Sequence, residues 1–265
     1  MFLNKDEQEL TEEYLEQGYV IRPVADLVAL NWIKDKFINL SKKEFGAIIE
    51  TDGNKWLNLI HDNVPVNLLN DFRLKMIGSI NSEPELREKY FRLARPYLEM
   101  LVGNELAMQL RVNLSIQLPQ DNSSLLPIHA DTWSGDSPFE VVVWIPLVDC
   151  YGTKSMYILP PPEKNKELDK SFTLQSGSSS GDLYQSIANE VMWLEIKYGE
   201  VLLFNQSLPH GNIINKENET RWSMNCRFKS VFTPYGDKKL GEFFEPITLR
   251  AASKTGLVYQ YPKMS

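Results

Sequence analysis

Cysteine, histidine and positive charge are all scarce in this chain of 265 residues. The two cysteines, Cys150 and Cys226, form no metal-type spacing and do not imply a disulfide framework. There are only three histidines, so each one is a candidate for chemistry. Lysine and arginine total 28 against 35 acidic residues, a net charge of -7. That balance excludes the basic field needed to hold nucleic acid or an anionic membrane. The pairs Lys42-Lys43 and Lys238-Lys239 fit a solvated surface. No apolar run approaches the ~20 residues of a membrane span. The opening MFLNKDEQELTEEYLEQ is acidic and polar, unlike a signal or transit peptide. The expectation is a cytoplasmic protein with no nucleic-acid or membrane partner.

What is present looks like one globular domain, 43% hydrophobic and 24% charged. Asn4 with Glu7 three residues on predicts a capped helix running to about Gln17, ended by Gly18, with YVIRPV as a short strand after it. ADLVALNWIKDKFINL has helical spacing. Ser82 and Glu85 predict a second cap, and Pro96 inside ELREKYFRLARPYLEML predicts a kink or break.

After Gly103 the period changes. LAMQLRVNLSIQLP alternates as a strand, with Arg111, Asn113, Ser115 and Gln117 on one face and an apolar row on the other. Such a strand suits a barrel wall around a polar ligand. FEVVVWIPLVD, KSMYILPPP, NEVMWLEIKYGEVLLFN and RWSMNCRFKSVFTP are further β-rich runs. SFTLQSGSSSGDLYQ is Ser/Gly-rich, and Ser176 to Gly181 is a candidate lid. The fold class is mainly β with α: a β-rich domain with an N-terminal helical layer.

Within LPIHADTWSGD, His129 and Asp131 lie two residues apart, so on extended backbone both side chains point to one side. Alone, the pair is more often a surface or capping Asp beside a chance His. His210, which ends GEVLLFNQSLPH, changes the odds. Two histidines and one carboxylate, as an HxD pair followed by a distant His, are the ligand set of a non-haem Fe(II) site. His61, in NLIHDNVP, fits a helix end. Arg221, Ser223, Asn225 and Arg227 share one face of the last strand. An inward arginine needs an anion, either a structural Asp/Glu or a ligand carboxylate, which the planar guanidinium matches with two hydrogen bonds.

Together, His129-x-Asp131, His210 and Arg221 resemble the Fe(II)/2-oxoglutarate-dependent oxygenases of the phytanoyl-CoA dioxygenase-like branch. EQGYVIRPV, VVWIPLVDC, ILPP and YGEVLLFNQSLPHGN extend the resemblance over nearly the whole chain, which is most similar to the sporadic carbohydrate cluster oxygenases. The resemblance implies a double-stranded β-helix, a jelly-roll or cupin-like core over residues 104–235. Residues 1–103 would form helices packed on one sheet, and 236–265 a C-terminal extension. It implies Fe(II) on His129, Asp131 and His210, with Arg221 on the distal carboxylate of 2-oxoglutarate. Asn113 and Gln117 would supply amide contacts to that cosubstrate. Arg227 is either the alternative cosubstrate arginine or a substrate contact. Asn212 stands where relatives often have Ser.

The implied reaction couples O2 and decarboxylation of 2-oxoglutarate to oxidation of a small-molecule substrate, a sugar or carbohydrate-derived intermediate, releasing succinate and CO2. Halogenases of this kind lack the carboxylate, so Asp131 points to hydroxylation or a related oxidation. Trp133, Trp144, Tyr157 and Trp193 could stack on a sugar ring or serve the core, and Trp133, beside the HxD pair, is the substrate candidate. Asp136 either meets a substrate hydroxyl or caps a turn. The alternatives are a non-catalytic, metal-containing carbohydrate-binding β-helix and a Zn(II) hydrolase.

Overall fold

The computed structural model describes residues 2–45, 52–161 and 180–262. The N-terminal helices are α1 (Lys5–Gln17), α2 (Leu27–Phe45), α3 (Gly53–Asn58), α4 (Leu69–Asn81) and α5 (Leu86–Leu101). Strand β1 (Tyr19–Pro23) lies between the first two. Next come β2 (Leu106–Gln109), β3 (Asn113–Gln117), β4 (Glu140–Pro146) and β5 (Tyr157–Ile158). Helix α6 (Ser180–Ile187) precedes β6 (Met192–Trp193), β7 (Glu200–Asn205), β8 (His210–Gly211), β9 (Arg221–Ser230) and β10 (Phe244–Pro246). Helix α7 (Ala251–Val258) follows.

Helix α1 starts on the expected capping box, in which the Asn4 side chain accepts from the Glu7 amide at 3.0 Å and Glu7 accepts from the Asn4 amide at 2.9 Å. It ends on Gly18 at φ 78, a left-handed cap that costs glycine little. The second expected cap is not made. Ser82 instead closes α4, its hydroxyl donating to the Gly78 carbonyl, and Glu85 precedes α5 without a side-chain cap bond. Nor does Pro96 break α5, which continues through it to Leu101.

Among the described residues the strands form two antiparallel sheets. The larger has the order β1-β7-β4-β9-β2-β10, with β3 also pairing β9; the smaller is β6-β5-β8. The segment read as one strand, LAMQLRVNLSIQLP, is two. Met108 pairs Phe228 but Asn113 pairs Asn225, so four residues lie between these partners on one side against two on the other. The surplus is taken up at Leu110 and Arg111, both exposed, so Arg111 leaves the inward row.

Alternation along the larger sheet decides what each face meets. Val141, Val143, Ile145, Val201, Leu203, Trp222, Met224 and Phe228 pack against Leu30, Phe37, Phe72 and Leu93 of the helical layer. Trp222 is fully buried, edge-on to Phe72 at 5.9 Å, and its indole N–H donates to the Leu57 carbonyl at 2.9 Å. On the opposite face Val142, Trp144, Leu202 and Phe204 join Ile158, Leu194 and Ile196 below the smaller sheet. Each fully buried large apolar side chain is worth about 1.5–3 kcal/mol. At the β3–β9 end this second face is polar, which leaves a recess between the sheets. No described helix is long and apolar enough to cross a membrane.

Candidate metal and cosubstrate site

Backbone pairing brings the two histidines together. His129 and His210 face each other across an isolated antiparallel bridge, exchanging amide-to-carbonyl bonds of 3.0 and 2.8 Å. The Asp131 amide donates to the Gln206 carbonyl at 3.0 Å, fixing the register of the two segments. Ala130 is extended (φ -118, ψ 135), so His129 and Asp131 point the same way before the chain turns at Asp131–Ser134.

Each imidazole is held through Nδ1. His129 Nδ1 lies 2.8 Å from the Pro127 carbonyl oxygen, and His210 Nδ1 lies 2.8 Å from that of Leu208. A carbonyl only accepts, so Nδ1 carries the proton and Nε2 is left with its lone pair. His129 Nε2 is 3.6 Å from Asp131 Oδ1, and one ligand atom from each of His129, Asp131 and His210 lies within 4.8 Å of the others. Two imidazole nitrogens and a carboxylate suit a divalent transition metal, and the fixed tautomers complete the fit. Burial and neighbouring His129 push the His210 imidazole down to about 4. Burial alone would raise Asp131, but Arg227 and the two histidines outweigh it and hold the carboxyl below the ordinary range.

The triad opens into a cavity of about 540 Å³ whose wall includes Arg221, Ser223, Asn225 and Arg227 of β9, Asn113 and Ser115 of β3, and Trp144, Met156 and Phe204. The two arginines are held differently. Arg221 is 3% exposed, donating from Nη1 to the Ser155 carbonyl and from Nη2 to Ser115 Oγ, both at 2.9 Å. No described carboxylate lies within ion-pair distance of it, and its Nε has no partner. The hydroxyls of Ser155 and Ser223 are buried and unpartnered as well. Burial pushes the guanidinium down from its ordinary value to about 10. A buried, unpaired cation among orphaned donors is costly unless an anion completes it, and a ligand carboxylate fits.

Arg227 is already engaged. Its Nη2 donates to Asp131 Oδ2 at 2.8 Å, its Nε to Gln206 Oε1 at 3.0 Å and its backbone amide to Gln109 Oε1 at 3.2 Å. Gln206 in turn donates to Glu140 Oε2 at 2.9 Å. This network orients Asp131.

The other sequence candidates divide. Asn113 lines the cavity, and its amide donates to Asn225 Oδ1 at 2.9 Å. Asn212 lines it too. Its Oδ1 accepts from the Leu126 amide at 2.7 Å while its Nδ2 has no partner. Gln117 is fully buried, donates to the Ile213 carbonyl at 2.6 Å and is not part of the cavity wall. Trp133 also lies off that wall, packed beside Ile128, Tyr157 and Leu183, and Trp193 joins the same cluster. Trp144 does line the cavity. Asp136 is buried and bridged to Lys238 at 2.6 Å. His61 lies 3.0 Å from the Thr220 hydroxyl, apart from the metal cluster. The candidate lid lies outside the described residues except at its end, where α6 begins. Sequence reasoning missed Gln206, Ser155 and Arg73, which take their roles only from tertiary neighbours.

No protein-family model matches the chain, and no curated protein does. Solved structures do. AviO1 from Streptomyces viridochromogenes Tue57 has a TM-score of 0.53 at 14% identity, covering 88% of this chain and 99% of its own. HygX from Streptomyces hygroscopicus, with nickel and 2-oxoglutarate bound, has a TM-score of 0.50 at 12% identity, covering 90% of each chain. ThoJ, a non-heme monooxygenase in its apo form, has a TM-score of 0.50 at 13% identity, covering 91% of this chain and 84% of its own. The chain shares their fold. It does so at identities that carry the backbone arrangement and not the chemistry.

Proposed function

We propose that the chain is a non-haem Fe(II)/2-oxoglutarate-dependent oxygenase on a double-stranded β-helix, hydroxylating or otherwise oxidising a small carbohydrate-derived molecule. One observation carries the reading. A His129–Asp131–His210 cluster and a buried arginine without an acid partner, Arg221, line the same cavity. HygX, which shares the fold, binds nickel and 2-oxoglutarate.

When bound, iron and 2-oxoglutarate supply with O2 an oxidant able to attack a C–H bond, with succinate and CO2 as the other products. His129, Asp131 and His210 would hold the metal, leaving its remaining positions for the cosubstrate and O2. Arg221, with the Ser115 and Ser223 hydroxyls beside it, would take the distal carboxylate. Arg227 keeps Asp131 ionised and fixed in place. The apolar patch of Val142, Trp144, Met156 and Phe204 excludes water from the reacting centre. Next to it on the same sheet face, Asn225 pairs across from Trp144 and accepts from the Asn113 amide, a polar surface suited to hydroxyl groups. The carbohydrate assignment itself rests on the sequence resemblance.

Anaerobic addition of Fe(II) and 2-oxoglutarate is expected to produce a weak visible metal-to-ligand charge-transfer band, absent in Asp131→Ala. A wild type that forms no band, or an Asp131→Ala variant that still releases succinate, refutes the proposal.

A further inference from the structure

The charged side chains around the cavity do not balance. Apart from the histidines, three guanidiniums line it, Arg73, Arg221 and Arg227, against one carboxylate, Asp131. That leaves two positive charges over, in a chain whose net charge is -7. The reading above leaves the surplus standing, because a divalent metal and a dianionic cosubstrate offset each other. Arg227 is taken by Asp131, and Arg221 awaits the cosubstrate. Arg73 is the remaining cation. No described acid pairs with it, and its Nη2 donates only to Asn70 Oδ1 at 2.8 Å.

The helix holds Arg73 in that wall. Phe72, Met76 and Ile80 bury one face of α4, and Arg73, Leu74 and Ile77, one turn apart, reach the cavity on the adjoining face. The end of α4 is pinned to the start of β3 by two bonds of 2.9 Å, Asn81 Nδ2 to the Val112 carbonyl and the Val112 amide to Asn81 Oδ1. Leu74 is 56% exposed and Leu126 51%, so the cation sits on an apolar rim of the opening. A positive, low-dielectric recess concentrates the field at its mouth and draws anions in from solution.

We infer that the substrate carries an anionic group, a phosphate or a carboxylate, which Arg73 binds at the α4 edge of the cavity while the site to be oxidised faces the metal. This rests on the proposed function, and it adds a charge requirement that the resemblance does not contain. A guanidinium takes either group through paired hydrogen bonds, so the two sources are separated by probe.

The test uses the full chain loaded with Ni(II) and saturating 2-oxoglutarate, so that Arg221 is occupied. Methyl phosphate and acetate are titrated separately by calorimetry. At least one should bind with a millimolar dissociation constant, weakened about tenfold in Arg73→Gln and largely kept in Arg73→Lys. The tighter probe identifies the group. The Fe(II)/2-oxoglutarate band should be the same in Arg73→Gln as in wild type, showing that the variant is folded and loaded. If the band forms but neither anion binds saturably, or if Arg73→Gln binds as well as wild type, this inference alone is overturned. If wild type forms no band, both readings fall.

Discussion

Replacing Arg221 with methionine should affect the ligand-free and liganded protein in opposite directions. The guanidinium is 3% exposed and has no described carboxylate within ion-pair distance, and burial drives it from its ordinary value down to about 10. At 1.36 kcal/mol per pH unit, keeping it charged in the folded state costs on the order of 3 kcal/mol. Methionine fills similar volume without that cost but loses the bonds to the Ser155 carbonyl and Ser115 hydroxyl, together about 2 kcal/mol. The ligand-free variant should therefore melt no lower than wild type and up to about 4 °C higher. Its affinity for 2-oxoglutarate should fall by about 2–4 kcal/mol, roughly 30- to 700-fold, because the cosubstrate carboxylate loses its buried counter-charge. Differential scanning fluorimetry and calorimetry on the Ni(II)-loaded protein measure the two effects. A structural arginine would behave differently, with a clear drop in melting temperature and 2-oxoglutarate binding within threefold of wild type. That result would make Arg221 a purely structural residue.

Two further outcomes follow from the same geometry. Arg227→Gln removes the 2.8 Å ion pair to Asp131, so Ni(II) affinity by calorimetry should fall about 10- to 100-fold while the melting temperature changes little. Lys229 is fully buried, donates to the Thr233 and Pro234 carbonyls at 3.1 and 2.6 Å and lies over the Tyr235 ring; burial lowers its ammonium to about 8. Between that value and the ordinary 10.5 the unfolded chain binds the extra proton, so the contribution of Lys229 to stability rises with pH. Urea unfolding at pH 7.5 and 9.5 should show wild type gaining on Lys229→Met at the higher pH, and a constant gap would exclude the mechanism.

The sequence shows most clearly what depends on period and spacing. RWSMNCRFKS alternates so regularly that its inward row, Arg221, Ser223, Asn225 and Arg227, could be read before any pairing was known, and all four line the cavity. The HxD pair was legible for the same reason, since extended backbone puts alternate residues on one side, whereas His210 was legible as the second histidine of a two-histidine, one-carboxylate ligand set. The difference between Arg221 and Arg227 was not. They lie six residues apart on one face, and only the carboxylate that meets Arg227 and the unpartnered Nε of Arg221 separate them. The split between β2 and β3 was hidden because Leu110 and Arg111 continue the alternation while leaving the ladder. Trp133 leaves the cavity wall because the chain turns tightly over Asp131–Ser134, and Asp136, just past that turn, is committed to Lys238 and Arg227. Arg73 reads in sequence as an ordinary exposed helical residue, and only the packing of α4 over β3 brings it to the cavity.

Strand β1 bears on how the molecule is made. Tyr19 to Pro23 pair with Phe204 to Glu200, and the Gly18 carbonyl accepts from the Asn205 amide at 2.9 Å, just where the chain begins the turn that delivers His210. A segment at the start of the chain thus holds the end of the strand that aims the last metal ligand. During synthesis at about 5–20 residues per second, β1 leaves the ribosome roughly 10–35 s before its partner exists. Through that interval its backbone is unpaired and the apolar face of the helical layer has no sheet to cover. Folding is therefore dominated by contacts that close late and over long loops. Chaperone demand should depend more on how long translation takes between β1 and β7 than on the stability of either.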